Sequence, residues 1–220
     1  MSKAKPVSAS KAEILREYGP FPDTEKVGGV TFDGRLAWLA AGAHLQSFDP
    51  TTGVAGDRFP VAADAGTAFD GHHFFQLTGE VIQKLDAKSG KLLATLPSPG
   101  QGRDSGLAWA EGMLWVGQYR DRKILGIDPN TGEILRTIES DRFVTGVSWV
   151  DGELWHGTWE GDQSELRRVD PETSQVLERL EMPPGVTVSG LESDGQGSFF
   201  CGGGSSGKVR RVRRPARSPR

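Results

Sequence analysis

The chain has 220 residues, 36% of them hydrophobic and 25% charged, with a net charge of −3. That balance is ordinary for a soluble globular protein and too weak to steer a polyanion by bulk charge. One cysteine, Cys201, excludes an internal disulfide, and no apolar run approaches the roughly 20 residues of a membrane span. The expectation is a soluble cytoplasmic protein, with a monomer as its simplest state.

Met1 to Ser10 are polar and carry Lys3 and Lys5. They read as a flexible lead with no apolar stretch of signal-peptide length. A short strand pattern follows at Ile14-Leu-Arg-Glu-Tyr18 and ends at Gly19-Pro20.

From Gly29 onward the chain repeats itself. Four segments are close copies: Gly29-Val-Thr-Phe-Asp-Gly34, Gly66-Thr-Ala-Phe-Asp-Gly71, Gly106-Leu-Ala-Trp-Ala-Glu-Gly112 and Gly146-Val-Ser-Trp-Val-Asp-Gly152. Gly190-Leu-Glu-Ser-Asp-Gly195 is a weaker fifth. The lead glycines are spaced 37, 40, 40 and 44 residues apart, the period of a four-stranded propeller blade. Acid-Gly between apolar runs predicts a hairpin turn. Each copy then gives an aromatic second strand, as at Leu114-Trp115 and Leu154-Trp155. A third strand stops at turns such as Phe48-Asp-Pro-Thr-Thr-Gly53 and Ile127-Asp-Pro-Asn-Thr-Gly132.

The fifth copy stops after Lys208-Val-Arg-Arg-Val212 and lacks a fourth strand. Ile14–Tyr18 resembles the fourth strand of the other copies, so the N-terminus supplies it and shuts the ring. The fold expected is all-β: one five-bladed β-propeller over residues 11–215, with a basic tail over 216–220. Five blades bury faces that one blade cannot. Trp38, Trp109, Trp115, Trp149 and Trp155 therefore read as inter-blade packing.

A site is expected where blades differ. Residues before the lead glycines and at the second-strand ends converge on one mouth of the axial channel. There Arg103, Asp104, Gln118, Tyr119, Arg120, Thr145, Thr158 and Trp159 gather on blades three and four, while blades one and five carry Ala and Gly. Bulk on one side and space on the other suit a small polar ligand. On the innermost strands Glu192 faces the small counterparts Thr31, Ala68, Ala108 and Ser148. A carboxylate there is desolvated, which raises its pKa and suits acid–base work; the other reading is a structural carboxylate satisfied by neighbours. His156 is either its partner base or a core histidine bonded to a carbonyl. Cys201 is a nucleophile only if a cation activates it; otherwise it is an inert core thiol. No His/Asp/Glu spacing marks a dedicated metal site. The residues require no cofactor and leave room for a divalent metal in the channel. Specific nucleic-acid binding by Arg210, Arg211, Arg213, Arg214, Arg217 and Arg220 is the weakest reading.

The repeated unit, Gly-Val-x-x-Asp-Gly, Leu-Trp, then Ile-Asp-Pro-x-Thr-Gly-x-Ile-Leu, resembles the five-bladed glutamine-cyclotransferase-like proteins. It is also similar to the seven-bladed streptogramin-inactivating lyases, such as virginiamycin B lyase. The first resemblance implies intramolecular cyclisation, the second a metal-assisted elimination. Phe143-Val-Thr-Gly-Val147 is the nearest counterpart of the cyclotransferase segment Phe-Thr-Gln-Gly-Leu and lacks its glutamine. Ser105, Thr145 and Gln118 stand where the lyases carry histidines and acids. The functional expectation is a small-molecule site at the mouth, with Glu192 and His156 as acid–base pair. The alternative is a non-catalytic protein-interaction scaffold.

Overall fold

The computed structural model describes residues 7–216, and all of its elements are strands. Most of the expected lead, residues 1–6, and the tail residues 217–220 lie outside the described residues. Two short strands open the chain, β1 (Ser8–Lys11) and β2 (Ile14–Tyr18). Blade one holds β3 (Gly29–Phe32), β4 (Ala37–Ala40), β5 (Leu45–Phe48) and β6 (Ala55–Phe59). Blade two holds β7 (Thr67–Phe69), β8 (His73–Thr78), β9 (Val81–Asp86) and β10 (Leu92–Pro97). Blade three runs β11 (Asp104–Ala110), β12 (Met113–Gln118), β13 (Lys123–Ile127) and β14 (Ile134–Glu139). Blade four runs β15 (Val144–Val150), β16 (Glu153–Glu160), β17 (Gln163–Val169) and β18 (Val176–Glu181). Blade five has β19 (Gly190–Ser193), β20 (Ser198–Gly202) and β21 (Val209–Arg213).

The fourth strand of blade five is β2, paired antiparallel to β21 from Ile14 opposite Val212 to Tyr18 opposite Val209. The same strand holds blade one. The Tyr18 hydroxyl donates to the Pro50 carbonyl at 2.8 Å, and the Arg16 guanidinium donates to the Thr51 and Thr52 carbonyls at 2.6 and 3.0 Å. The five-bladed ring with N-terminal closure is the fold that the repeat predicts.

Ser8–Lys11 corrects the boundary. Part of the expected flexible lead is a strand, pairing parallel to β18 as a fifth strand of blade four. All four of its residues are exposed. Backbone bonds to an otherwise open edge hold it, and Ser-Ala-Ser-Lys carries no apolar pattern to announce that.

Five hydrophobic clusters make the core, one between each pair of neighbouring blades. Trp115 and Trp155 are fully buried. Trp149 of blade four stacks on Trp115 of blade three with ring centroids 4.8 Å apart, and Trp109 of blade three stacks on Phe75 of blade two at 5.5 Å. The tryptophans of the repeat are thus inter-blade packing, and Cys201 lies buried in the cluster that holds Trp155, at the interface of blades four and five.

At the axis the innermost strands meet in cyclic order. A Cβ on Gly29, Gly66, Gly106, Gly146 or Gly190 would lie under 3.0 Å from the backbone at or just before the next blade's innermost strand. The lead glycines are required for this close approach, which brings five backbones together around the axis.

Candidate functional site

Glu192 sits on β19 two residues beyond that ring, about 7 Å farther along the strand. Its partners come from three blades. The Ser148 hydroxyl of blade four donates to Oε1 at 2.9 Å, the Thr31 hydroxyl of blade one donates to Oε2 at 3.2 Å, and the Ser193 amide donates to Oε1 at 2.8 Å. Its counterparts on blades two and three, Ala68 and Ala108, carry no side-chain donor. The carboxylate keeps some contact with solvent but is walled by protein. Burial pushes its pKa up to about 7, against the opposing pull of the Ser193 amide and the two hydroxyls. Near neutral pH the group therefore exists in both protonation states, as a proton carrier requires.

His156 does not join it. The imidazole is fully buried on β16, and its Nδ1 lies 3.0 Å from the Gly157 carbonyl. Its Nε2 has no hydrogen-bond partner among the described residues. Burial holds its pKa down at about 4, so the ring is neutral at pH 7. Burial also pushes the Cys201 thiol up, which keeps it protonated and unreactive.

The rim residues form a separate cluster on the mouth face of blades three and four. Asp104 accepts from Gln118 Nε2 at 3.1 Å and from the Gly100 amide at 2.9 Å. Arg103 is exposed and lies 3.7 Å from Asp121. Arg120 is exposed. The Tyr119 hydroxyl donates to the Trp159 carbonyl at 3.1 Å, and its ring packs on Phe143 with centroids 4.8 Å apart. Trp159 is 43% exposed, and its indole N–H donates to the Gly161 carbonyl at 2.9 Å. The Thr158 hydroxyl accepts from the Glu165 amide at 3.2 Å. The Thr145 hydroxyl is buried without a partner among the described residues.

Sequence comparison between blades does not single out Arg122, Phe143 and Glu160 as a unit. Glu160 pairs with Arg142, lies 3.6 Å from Arg122 and accepts from the Phe143 amide at 3.1 Å. Burial pushes its pKa up, but the Phe143 amide and Arg142 outweigh that and hold the carboxyl below its usual range. Arg122 in turn lies over the Phe143 ring, 4.7 Å from its centroid.

The glycine ring separates the two groups. Rim residues precede it and Glu192 follows it, and no hydrogen bond or ion pair joins them among the described residues. The sequence reading placed them around one ligand; the backbone contact at the axis puts them on different levels. A cavity of about 580 Å3 lies beside blade one, lined by Asp23, Lys26, Gly28, Ala41, Gly42 and Asp64 among others. Among the described residues no group of three or more His, Cys, Asp or Glu side chains could hold a metal ion.

No protein-family model matches the chain, and no curated protein does. Solved structures do. The crystal structure of Myxococcus xanthus glutaminyl cyclase superposes with a TM-score of 0.77, covering 94% of this chain and 98% of that one at 17% identity. A chain of the mitotic checkpoint complex gives a TM-score of 0.51 at 15% identity, covering 86% of this chain and 64% of its own length. At these identities the likeness shows the fold alone.

Proposed function

We propose that the chain is an acid–base propeller of the cyclotransferase kind, taking a small polar molecule into its axial channel and moving protons through Glu192. One observation carries this reading: a carboxyl on the axis, walled by protein, held by three donors and poised near pH 7. The fold-level likeness to a glutaminyl cyclase along nearly the whole chain supports it.

The chemistry fits one such group. In an intramolecular aminolysis an amine nitrogen attacks an amide carbonyl, a C–N bond forms within the molecule, and ammonia leaves. The attacking nitrogen sheds one proton and the departing nitrogen gains one. A carboxylate accepts the first and, now protonated, returns it to the leaving group. Ser148 and Thr31 hold the carboxyl in place. His156 takes no part. The substrate approaches Glu192 from the hairpin end of the innermost strands. There Phe32 and Trp149, each half-buried, follow Thr31 and Ser148 along their strands.

The test is ammonia release from glutaminyl-glycine by the full chain and by Glu192→Gln. The expected result is turnover that depends on a group titrating near pH 7, cut about 100-fold or more in the variant. A parent protein that releases no ammonia, or a variant as active as the parent, overturns the reading.

A further inference from the structure

A second cavity, of about 620 Å3, lies on the outer flank of blade four, away from the axis. Its walls are the start of β17, the Met182-Pro183-Pro184 turn after β18, and Lys11 with Ala12 at the end of the N-terminal strand. The base is rigid. Glu165, 9% exposed, is bonded to both Arg179 and Arg167, and Arg167 also pairs with Asp141. Burial pushes the Glu165 carboxyl up, but its two arginines outweigh that and keep it ionised.

Three groups of this cavity have uncommitted chemistry. Ser164 is 3% exposed, and its hydroxyl has no hydrogen-bond partner among the described residues. A buried hydroxyl left unbonded is destabilising, and a ligand atom would supply the missing bond. Lys11 and Asp162 are exposed, line the cavity, and have no ion-pair partner among the described residues. The other charges have partners: Arg142 pairs with Glu160, Arg179 with Glu165, and Glu181 lies 4.0 Å from Arg179. Among the described residues, one cation and one anion without an ion-pair partner, an orphan hydroxyl and an apolar wall of Met182, Pro183 and Pro184 define the occupant. The volume is in the range of small-molecule sites.

We propose that this cavity binds a zwitterion with an apolar side chain, an amino acid or short peptide. Its carboxylate lies toward Lys11, its ammonium toward Asp162, and a polar atom meets the Ser164 hydroxyl. The site is independent of Glu192 and stands or falls separately from the acid–base reading.

Calorimetric titration of the full chain with alanyl-leucine, and with its N-acetylated and C-amidated forms, tests it. Saturable binding of the free dipeptide is expected, with either capped form weaker by about tenfold, ~1.4 kcal/mol. Asp162→Asn should weaken the free dipeptide by a similar factor and leave the N-acetylated form unchanged. Ser164→Ala should weaken all three; if that buried change impairs folding, the surface change at Asp162 decides. No saturable binding, equal binding of the capped forms, or full affinity in Asp162→Asn overturns the proposal.

Discussion

Gly190 and Gly29 meet backbone to backbone where the last blade closes on the first. A Cβ on Gly190 would lie 2.6 Å from the Val30 amide nitrogen and 2.8 Å from the Gly29 Cα. Both residues begin innermost strands, so a side chain here would pry the ring open at its axis. Gly190→Ala and Gly146→Ala should each lower stability by several kcal/mol in urea unfolding, because rigid backbone on both sides cannot yield. Gly152→Ala is the control. Its φ is +72° and nothing lies within 4 Å of a Cβ there, so only the cost of a left-handed alanine applies, about 1 kcal/mol. Equal losses at Gly152 and Gly190 would contradict the axial contact.

Glu192 and His156 should pull stability in opposite directions with pH. The folded Glu192 carboxyl titrates near 7 against 4.5 in the unfolded chain. The native state therefore holds its proton more tightly, and stability falls as pH rises from about 4.5 to 7. Folded His156 titrates near 4 against 6.5. The native state holds its proton less tightly, and stability rises as pH rises from about 4 to 6.5. Each effect is on the order of 3 kcal/mol, and over the shared window they offset one another. Glu192→Gln minus parent should thus climb with pH through that window, and His156→Leu minus parent should fall. Urea midpoints across pH 4 to 8 measure both. Variants that track the parent at every pH would refute the assignments.

The closing strand should matter more than the strand ahead of it. Removing residues 1–11 takes away β1, whose four residues are all exposed, and should cost about 1–2 kcal/mol of edge hydrogen bonding. Removing residues 1–18 deletes the outer strand of blade five together with Tyr18, which is 2% exposed, and should leave a chain that does not fold cooperatively. Circular dichroism melting distinguishes the two. A cooperative transition in the shorter chain would show that the ring closes without β2.

Cys201 should be silent toward thiol reagents in the native protein. It is 1% exposed, and burial pushes its thiol up. Labelling should occur only as fast as the molecule opens, rising with urea in step with global unfolding. Rapid labelling without denaturant would place the thiol in an accessible site.

The sequence alone determined the blade count, the period, the turn chemistry and the closure by Ile14–Tyr18. Those features repeat along the chain, so each copy interprets the others. It also marked Glu192 as the odd member of a row of small residues. It did not supply Ser148 and Thr31 as that carboxyl's donors, since they belong to blades four and one and meet it only at the axis. It set Glu192, His156 and the rim residues around one ligand, because strand position is legible in a repeat but depth along the channel is not. The glycine ring decided that depth, through backbone contacts between strands about forty residues apart and, where the last blade meets the first, 161 apart. The pairing of β1 with β18 and the blade-four cavity were likewise left to tertiary structure. Ser8–Lys11 carries no pattern of its own, and an orphan hydroxyl at Ser164 exists only once folding has buried it.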